Sequence, residues 1–431
     1  MLRRLLACLL LALPLNAATT ITLLHFSDYH SHALPFYTDE GERGGIARAI
    51  GYLKAQKRAG ALVFSGGDTV NKGAPAWSDK YQCAEWAWFN GVVDAMALGN
   101  HDVDYGAEAF EQCRKSARYP ILSANTSGFR GTAVFVVRGV RVGVFALAGD
   151  DFTKLVKTPG FTFGDPIAAA KEAVRALRGE QQAQVVVMIG HQEADADYAM
   201  ARAVPGIDII FGSHSHLKRD LVQIPDTKTV FISPSQYLTY ISRLEVTVTD
   251  GRVTDVRGGL IPVDASLPTD ARIARRVANL QRELERDPQY RDLFTPIGKL
   301  QSALSTDALA MKTLSVMRDA AKADVAISTK SSFRSPLPAG TLTMELLRGA
   351  MPYDNELAVC TMSGAQLRAL LDVAGDESYV GGAETVDPAK SYRVATTDYM
   401  AFVAFKKQFD CDPQLTGSRV RDELRKRLAS Q

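Results

Sequence analysis

The sequence predicts an α/β fold with a second, smaller α+β domain. Apolar runs of strand length alternate with stretches of helical spacing, the pattern of βαβ units. Five of these runs end in a short polar loop carrying Asp, Asn or His, and all seven histidines fall between His25 and His216. In parallel sheets, sites form outside the carboxyl ends of the strands, so these loops are expected to gather on one edge. At 431 residues the chain is too long for one ordinary core, hence two domains.

Ile21–Phe26 reads as the first strand, with Ser27-Asp28-Tyr29-His30 at its end. Gly44–Arg58 has helical spacing, and Ala61–Phe64 is a short strand ending in Ser65-Gly66-Gly67-Asp68. The soft run Val92–Leu98 is ended by Gly99, and Asn100-His101-Asp102-Val103-Asp104 follows. Val134–Val137 and Val142–Leu147 read as a hairpin about Arg138-Gly139. Gln184–Ile189 leads into Gly190-His191, and Ile207–Phe211 into Gly212-Ser213-His214-Ser215-His216. Leu244–Val248 alternates, as a closing antiparallel strand should. Thr269–Arg286 is charged and helical and reads as a linker, with Asp270 near its start. Beyond Thr295 come helix Asp307–Lys322, strand Asp324–Ser328, a turn at Ser335–Gly340 and helix Thr343–Ala350. Strand Leu357–Met362, helix Gly364–Ala374 and strand Tyr392–Thr396 complete the pattern.

The amino terminus stands apart. Met1-Leu2-Arg3-Arg4, an apolar run to Leu15 and the small residues Asn16-Ala17-Ala18 form a secretory signal, too short for a membrane anchor. Leu6-Ala7-Cys8 is only a loose match to a lipoprotein site, because the apolar run mostly follows Cys8. An exported, periplasmic or secreted chain is expected, with no stable membrane span. Lys plus Arg exceeds Asp plus Glu by 50 − 48 = 2, and no clustered basic surface points to nucleic acid. Four cysteines remain after cleavage, and an even count in an exported chain fits disulfides, paired as Cys83–Cys113 and Cys360–Cys411.

Nitrogen and carboxylate ligands without thiolate suit zinc, manganese, iron or cobalt. Two such ions roughly 3.5–4 Å apart can clamp a phosphoryl group and lower the pKa of a bound water to about 7. The sequence has no Gly-x-Ser-x-Gly, His-Glu-x-x-His or Walker loop to supply another chemistry.

The motifs Asp28-x-His30, Gly67-Asp68, Gly99-Asn100-His101-Asp102, Gly190-His191 and Gly212-Ser213-His214-Ser215-His216 resemble those of the secreted 5′-nucleotidase family of calcineurin-like metallophosphatases. The resemblance implies a four-layer sandwich of two mixed sheets flanked by helices. It implies one divalent ion on Asp28, His30, Asp68 and His216, and a second on Asp68, Asn100, His191 and His214. His101, oriented by Asp104, would act on the transferring phosphoryl group or the leaving oxygen. The catalytic set is then Asn100, His101 and Asp104. His25 and His32 fall outside the pattern and read as structural; Glu193 and Asp195 read as rim, and Asp102 as a cap of the following helix.

The resemblance divides the chain into a signal at 1–18, a metallophosphatase domain at 19–266, a linker helix at 267–294 and a substrate domain at 295–431. In the last of these Arg334 would grip phosphate, Tyr353 stack on a base and Asn355 bond its edge or the ribose. The chain departs from the family at Ser331-Ser332, where a glycine pair is usual and Lys330 offers a second cation. It departs again at Met400–Phe405, where a glycine-rich loop normally brings a second aromatic; Phe402 and Phe405 are candidates for that wall or for core. The expected activity is hydrolysis of 5′-nucleotides by a monomer. Cyclic nucleotides, nucleotide sugars or a sulfur ester are the alternatives, and a non-catalytic nucleotide-binding protein is the reading from another class.

Overall fold

A computed structural model describes residues 18–382 and 385–429. The expected leader lies outside the described residues except for Ala18, as does Cys8. Two six-stranded sheets face each other in the amino-terminal half. The first runs Arg252–Pro262, Tyr240–Thr249, Thr19–Phe26, Leu62–Ser65, Ala95–Ala97, Ile121–Leu122 in spatial order. The second runs Lys218–Gln223, Val230–Pro234, Ile209–Phe211, Val185–Met188, Val140–Phe145, Thr132–Val137. Parallel pairs run through the middle of both sheets and out to Ile121–Leu122 at one edge of the first, and antiparallel pairs close the other edges, so both sheets are mixed.

The near-continuous apolar runs have a simple cause. Leu23, Leu62, Phe64, Val187, Ile209 and Phe211 point into the core between the sheets. Their neighbours Leu24, Phe26 and Val63 point out to one helical layer, and Val186, Met188 and Ile210 to the other. A strand covered on both faces has no polar side, and each such buried side chain contributes about 2 kcal/mol by area removed from water.

Helix Ile46–Arg58 buries Ile46, Ala49, Ile50 and Leu53, the i, i+3, i+4, i+7 stripe. It starts two residues later than its spacing suggests, because Gly44 and Gly45 sit at φ 78° and 93°. The hairpin turns at Arg138-Gly139, both with positive φ, as a two-residue type I′ turn requires. Helix Ala271–Arg286 is capped by Asp270, whose Oδ1 accepts from Arg272 and Ile273 backbone N–H at 3.0 Å each. Its Ile273, Val277 and Leu284 pack into the same core as Ile46–Arg58.

The carboxyl-terminal half holds a five-stranded sheet in the order Ser378–Gly381, Val325–Thr329, Ser391–Thr397, Glu356–Ser363, Gln414–Arg419. Helices Thr306–Ala321 and Val420–Ala429 cover one face and Gly364–Ala374 the other. The last begins with a reciprocal capping box between Ser363 and Gln366. Disulfides join Cys83 to Cys113 and Cys360 to Cys411, as expected. The first closes a loop around Gly99–Asp104, with a sequence separation of 30; in the chain-entropy picture that removes about 3.5 kcal/mol of unfolded-chain freedom.

One buried acid marks the packing beneath the first sheet. Glu85 is enclosed, and its Oε1 accepts from Tyr29 Oη at 3.1 Å and from Trp77 Nε1. Burial pushes its pKa up from 4.5 to about 7. Between these values the folded chain holds more protons than the unfolded one, so stability falls as pH rises through that window, by up to about 3 kcal/mol. Glu85→Gln keeps an acceptor for both donors and removes the titration. Melting temperatures at pH 5 and pH 8 are expected to show the variant gaining on the wild type at the higher pH. A gap that does not change with pH contradicts this account of Glu85.

Candidate metal centre

Six loops converge where the carboxyl ends of the two sheets meet. The first sheet contributes Ser27–Ser31, Gly66–Asp68 and Gly99–Asp104; the second contributes Gly149–Asp151, Gly190–His191 and Gly212–His216. Expectation placed five of them on one sheet edge; the sixth, Gly149–Asp151, follows the same rule but carries no histidine and escaped notice.

Three groups of side chains among the described residues could hold a cation: Asp28, His30 and His216; Asp68, His191 and His214; and, sharing His214 with the second, Asp151, Glu193 and His214. His30 Nε2 lies 3.1 Å from His216 Nε2, and His216 Nε2 lies 3.4 Å from Asp28 Oδ1. In the second group His191 Nε2 is 3.2 Å from both Asp68 Oδ2 and Asn100 Oδ1. The first two groups meet at Asp68, whose Oδ2 is also 3.8 Å from His30 Nε2. Adjacent ligands at right angles on bonds of about 2.1 Å lie about 3 Å apart, so the spacing fits coordination.

Proton placement strengthens the fit. His191 Nδ1 can only donate to the Gly66 carbonyl, at 2.7 Å, and His30 Nδ1 to the Val70 carbonyl, at 3.1 Å. Each ring therefore turns its Nε2 to the cluster, the atom that would ligate an ion held there. Burial disfavours charge on His191, but Asp68 and Asp28 push it up to about 10, the response of a pocket that calls for a cation. Burial pushes Asp68 upward, yet the surrounding histidines hold it well below the usual carboxylate range. The donor set and its backing therefore suit divalent metal.

The backbone is unusual at these residues. Asp28, His30, Asp68, His214 and His216 have φ of 50°, 48°, 50°, 64° and 55°. Each left-handed non-glycine residue costs about 1–2 kcal/mol, and such residues persist where surrounding contacts over-determine them. Here Asp28 N donates to Gly67 O, His30 N to Asp68 O, and His214 N to the Asp28 carboxylate. Gly99 permits the closest approach: a Cβ there would lie 2.2 Å from both Asp68 N and Asp68 Oδ1.

Asp102 does not cap the helix that follows, contrary to expectation. Its carboxylate accepts from Gly99 N, Asp68 N, Thr69 N and Thr69 Oγ1 at 2.9, 3.1, 2.8 and 2.6 Å. Four orphan donors of two tight loops satisfy it better than a helix end would, and it pins the Asp68 loop to the Asn100 loop. His101 donates from its backbone to Asp68 Oδ1 at 2.8 Å, and its ring Nδ1 lies 2.7 Å from Asp104 Oδ2. Burial lowers its pKa, but Asp68 and the hydrogen-bonded Asp104 outweigh this and push it up to about 9.

Asp151 is the residue that sequence reasoning missed. Its Oδ2 is 2.8 Å from His214 Nε2, which leaves His214 Nδ1 free, and Glu193 Oε1 follows at 3.6 Å. His25 and His32 lie outside the groups: His25 stacks on Phe211 with centroids 4.8 Å apart, and His32 on Tyr237 at 3.7 Å.

From the carboxyl-terminal half, Arg334 reaches this centre. Its Nη1 meets His216 Nδ1, and its Nη2 donates to Tyr353 Oη at 2.9 Å. Tyr353 is exposed, and Asn355 is half-buried two residues on. Lys330 lies over the Tyr379 ring instead of supporting Arg334. The segment Met400–Ala404 is a helical turn; Phe405 packs into the core, whereas exposed Tyr399 sits within electrostatic reach of Tyr353 and Arg334.

Asp102→Ala is expected to weaken divalent-metal affinity 10- to 100-fold, the usual effect of losing a group that orients ligands. Metal content after dialysis against graded chelator reads this directly; unchanged retention contradicts the clamp.

Comparison with known proteins agrees with this architecture. A family model for calcineurin-like phosphoesterases matches residues 21–218, and one for the 5′-nucleotidase C-terminal domain matches residues 301–384. UshA of Yersinia enterocolitica is 26% identical, over 88% of this chain and 85% of its own length. In fold, the chain is similar to the 5′-nucleotidase precursor of Thermus thermophilus, with TM-score 0.75, 22% identity and 96% of both chains covered. It is also similar to the sulfate thiohydrolase SoxB of Thermus thermophilus, with TM-score 0.74, 22% identity and 95% and 94% coverage. With both family models matched in order and candidate ligands gathered at the strand ends, the chain belongs to the calcineurin-like phosphoesterases that carry a 5′-nucleotidase C-terminal domain and is a metal-dependent phosphoester hydrolase.

Proposed function

We propose that this hydrolase acts on 5′-nucleotides, releasing the nucleoside and phosphate, at a site of two divalent ions. The observation that carries the reading is that Arg334 and Tyr353 face the same cluster that Asp68 joins together. Asp28, His30, Asp68 and His216 hold one ion; Asp68, Asn100, His191 and His214 hold the other. Zinc, manganese, iron and cobalt all suit the donors. Divalent ions held there supply Lewis acidity towards a phosphoryl oxygen and lower the pKa of water towards 7.

The side chains do the rest. Arg334 presents a planar fork to phosphate oxygens. Tyr353 stacks on the base, with Tyr399 as a candidate opposite wall, and Asn355 bonds the base edge or ribose. His101, whose charged ring is favoured by its hydrogen bond to Asp104, stabilises negative charge as the ester oxygen leaves. Asp104 holds its ring in one orientation. A protein that only bound nucleotide would have no use for this pair. Export to the periplasm, a monomeric state and domains at 19–266, 267–294 and 295–431 belong to the same reading. No helix among the described residues is long and apolar enough to cross a membrane.

A second reading keeps the centre and changes the ester. The TM-score to SoxB, 0.74, is close to the 0.75 to the nucleotidase, and Met400–Ala404 is a helical turn where the resemblance leads one to expect a glycine-rich loop. Purified protein with manganese or zinc is expected to release phosphate from AMP faster than from an aryl phosphate. No turnover of either contradicts the first reading, and thiosulfate-ester cleavage alone selects the second.

His101→Ala is expected to lower kcat about 10²- to 10³-fold with little change in KM. Activity falls along an alkaline limb as His101 loses its proton, and Asp104→Asn brings that limb to lower pH, because it removes a group that favours the charged ring. An alkaline limb in the same place in Asp104→Asn overturns this role. Arg334→Ala and Tyr353→Ala raise KM for AMP more than for the aryl phosphate.

A further inference from the structure

Behind the metal centre lies a cavity of about 480 Å³ that the proposed reaction does not use. Three parts of the chain wall it. The amino-terminal half provides Phe36, Tyr37 and Trp77; the segment after helix Ala271–Arg286 provides Phe294; the carboxyl-terminal half provides Pro336 and Leu346. These walls meet across the space, so the cavity exists only while the two halves are together.

Its chemistry is that of a small-molecule pocket. The volume falls within the 300–1,000 Å³ of ordinary ligand sites, and the lining is mainly aromatic and aliphatic. Leu34, Tyr37 and Leu346 at its walls are 41%, 40% and 38% exposed, apolar surface that an occupant would remove from water. No lysine or arginine is among the described residues that line it, while Glu42 and Glu345 are, so an anion is disfavoured. A phosphate ester therefore does not belong here.

Its position links it to the centre. Ser31 and His32 line the cavity, and His30 precedes them; Ser335 and Pro336 line it, and Arg334 precedes them. An occupant therefore braces the Arg334 segment against the His30 segment in the arrangement seen here. In that arrangement Arg334 is spent on His216 and Tyr353.

We propose that this cavity is a second ligand site, for a small uncharged molecule with aromatic rings, whose occupancy pins the carboxyl-terminal half against the metal loops and slows turnover. The effect on turnover rests on the hydrolase reading; the binding does not.

A fluorinated hydroxybiphenyl is a suitable probe, followed by fluorine NMR on the full chain. Gly349→Phe supplies the test, because Gly349 lines the cavity and a Cβ there meets nothing within 4 Å. Saturable broadening of the probe signal is expected with wild type and its loss with Gly349→Phe. The probe should lower kcat for an aryl phosphate at least threefold at saturation, without relief by excess substrate, while the turnover of Gly349→Phe, whatever its own level, does not change with the probe. Leu346→Lys, which charges an exposed wall residue, provides the second variant should Gly349→Phe not fold. Absence of saturable binding, binding unchanged by both variants, or inhibition relieved by substrate overturns the proposal. A dimer of the wild type that Gly349→Phe dissociates, read by light scattering, would assign the face to a second copy and also overturn it. Binding without any enzyme activity would keep the pocket and remove the hydrolase reading, so the two fail separately.

Discussion

Everything at the centre depends on one carboxylate. Asp68 Oδ2 faces His191 from one side and His30 from the other, and Oδ1 is taken by the His101 backbone. An unpaired carboxylate this deeply buried would be costly, and its surroundings hold it ionised nonetheless. That is sustainable only where cationic or metal partners are close. The loops answer with left-handed backbone at five donor residues, and Asp102 binds two of those loops together through four hydrogen bonds.

The two-sheet arrangement explains why the donors come from so far apart in the chain. Strands of the first sheet deliver Asp28, His30, Asp68 and Asn100; strands of the second deliver His191, His214 and His216. Neither sheet carries either of the two groups that meet at Asp68, since each of those mixes residues of both. The core between the sheets, with Leu23, Phe64, Val187 and Phe211, thus does more than stabilise: it sets the distance between the halves of the site. Rigid strands hold loop ends to fractions of an ångström, which a cation with fixed bond lengths demands.

The proposed function divides chemistry and recognition between the halves of the chain. The amino-terminal half holds the groups that could bind metal; the carboxyl-terminal half contributes a guanidinium, two exposed tyrosines and a half-buried asparagine. The fold alone does not choose the ester, as the close TM-scores to a nucleotidase and to a thiohydrolase illustrate. In the proposed reading the choice falls to Arg334, Tyr353 and the turn around Tyr399.

The sequence by itself determined the strands, the polar loops at their ends and the residue types those loops carry, because hydrophobic periodicity and glycine punctuation are local. The pairing expected for the four cysteines beyond the leader, Cys83 with Cys113 and Cys360 with Cys411, is the one the structure forms. Only the tertiary structure decided which strands fall in which of the two facing sheets, that Asp102 clamps loops instead of capping a helix, and that Asp151 backs His214. Asp151 sits 63 positions from His214 and has no motif of its own, so nothing local distinguishes it from any acid in a loop. The same holds for Tyr399, whose neighbourhood arises from a turn that sequence pattern left open. Contacts between distant segments depend on how layers pack, and packing is a property of the whole chain.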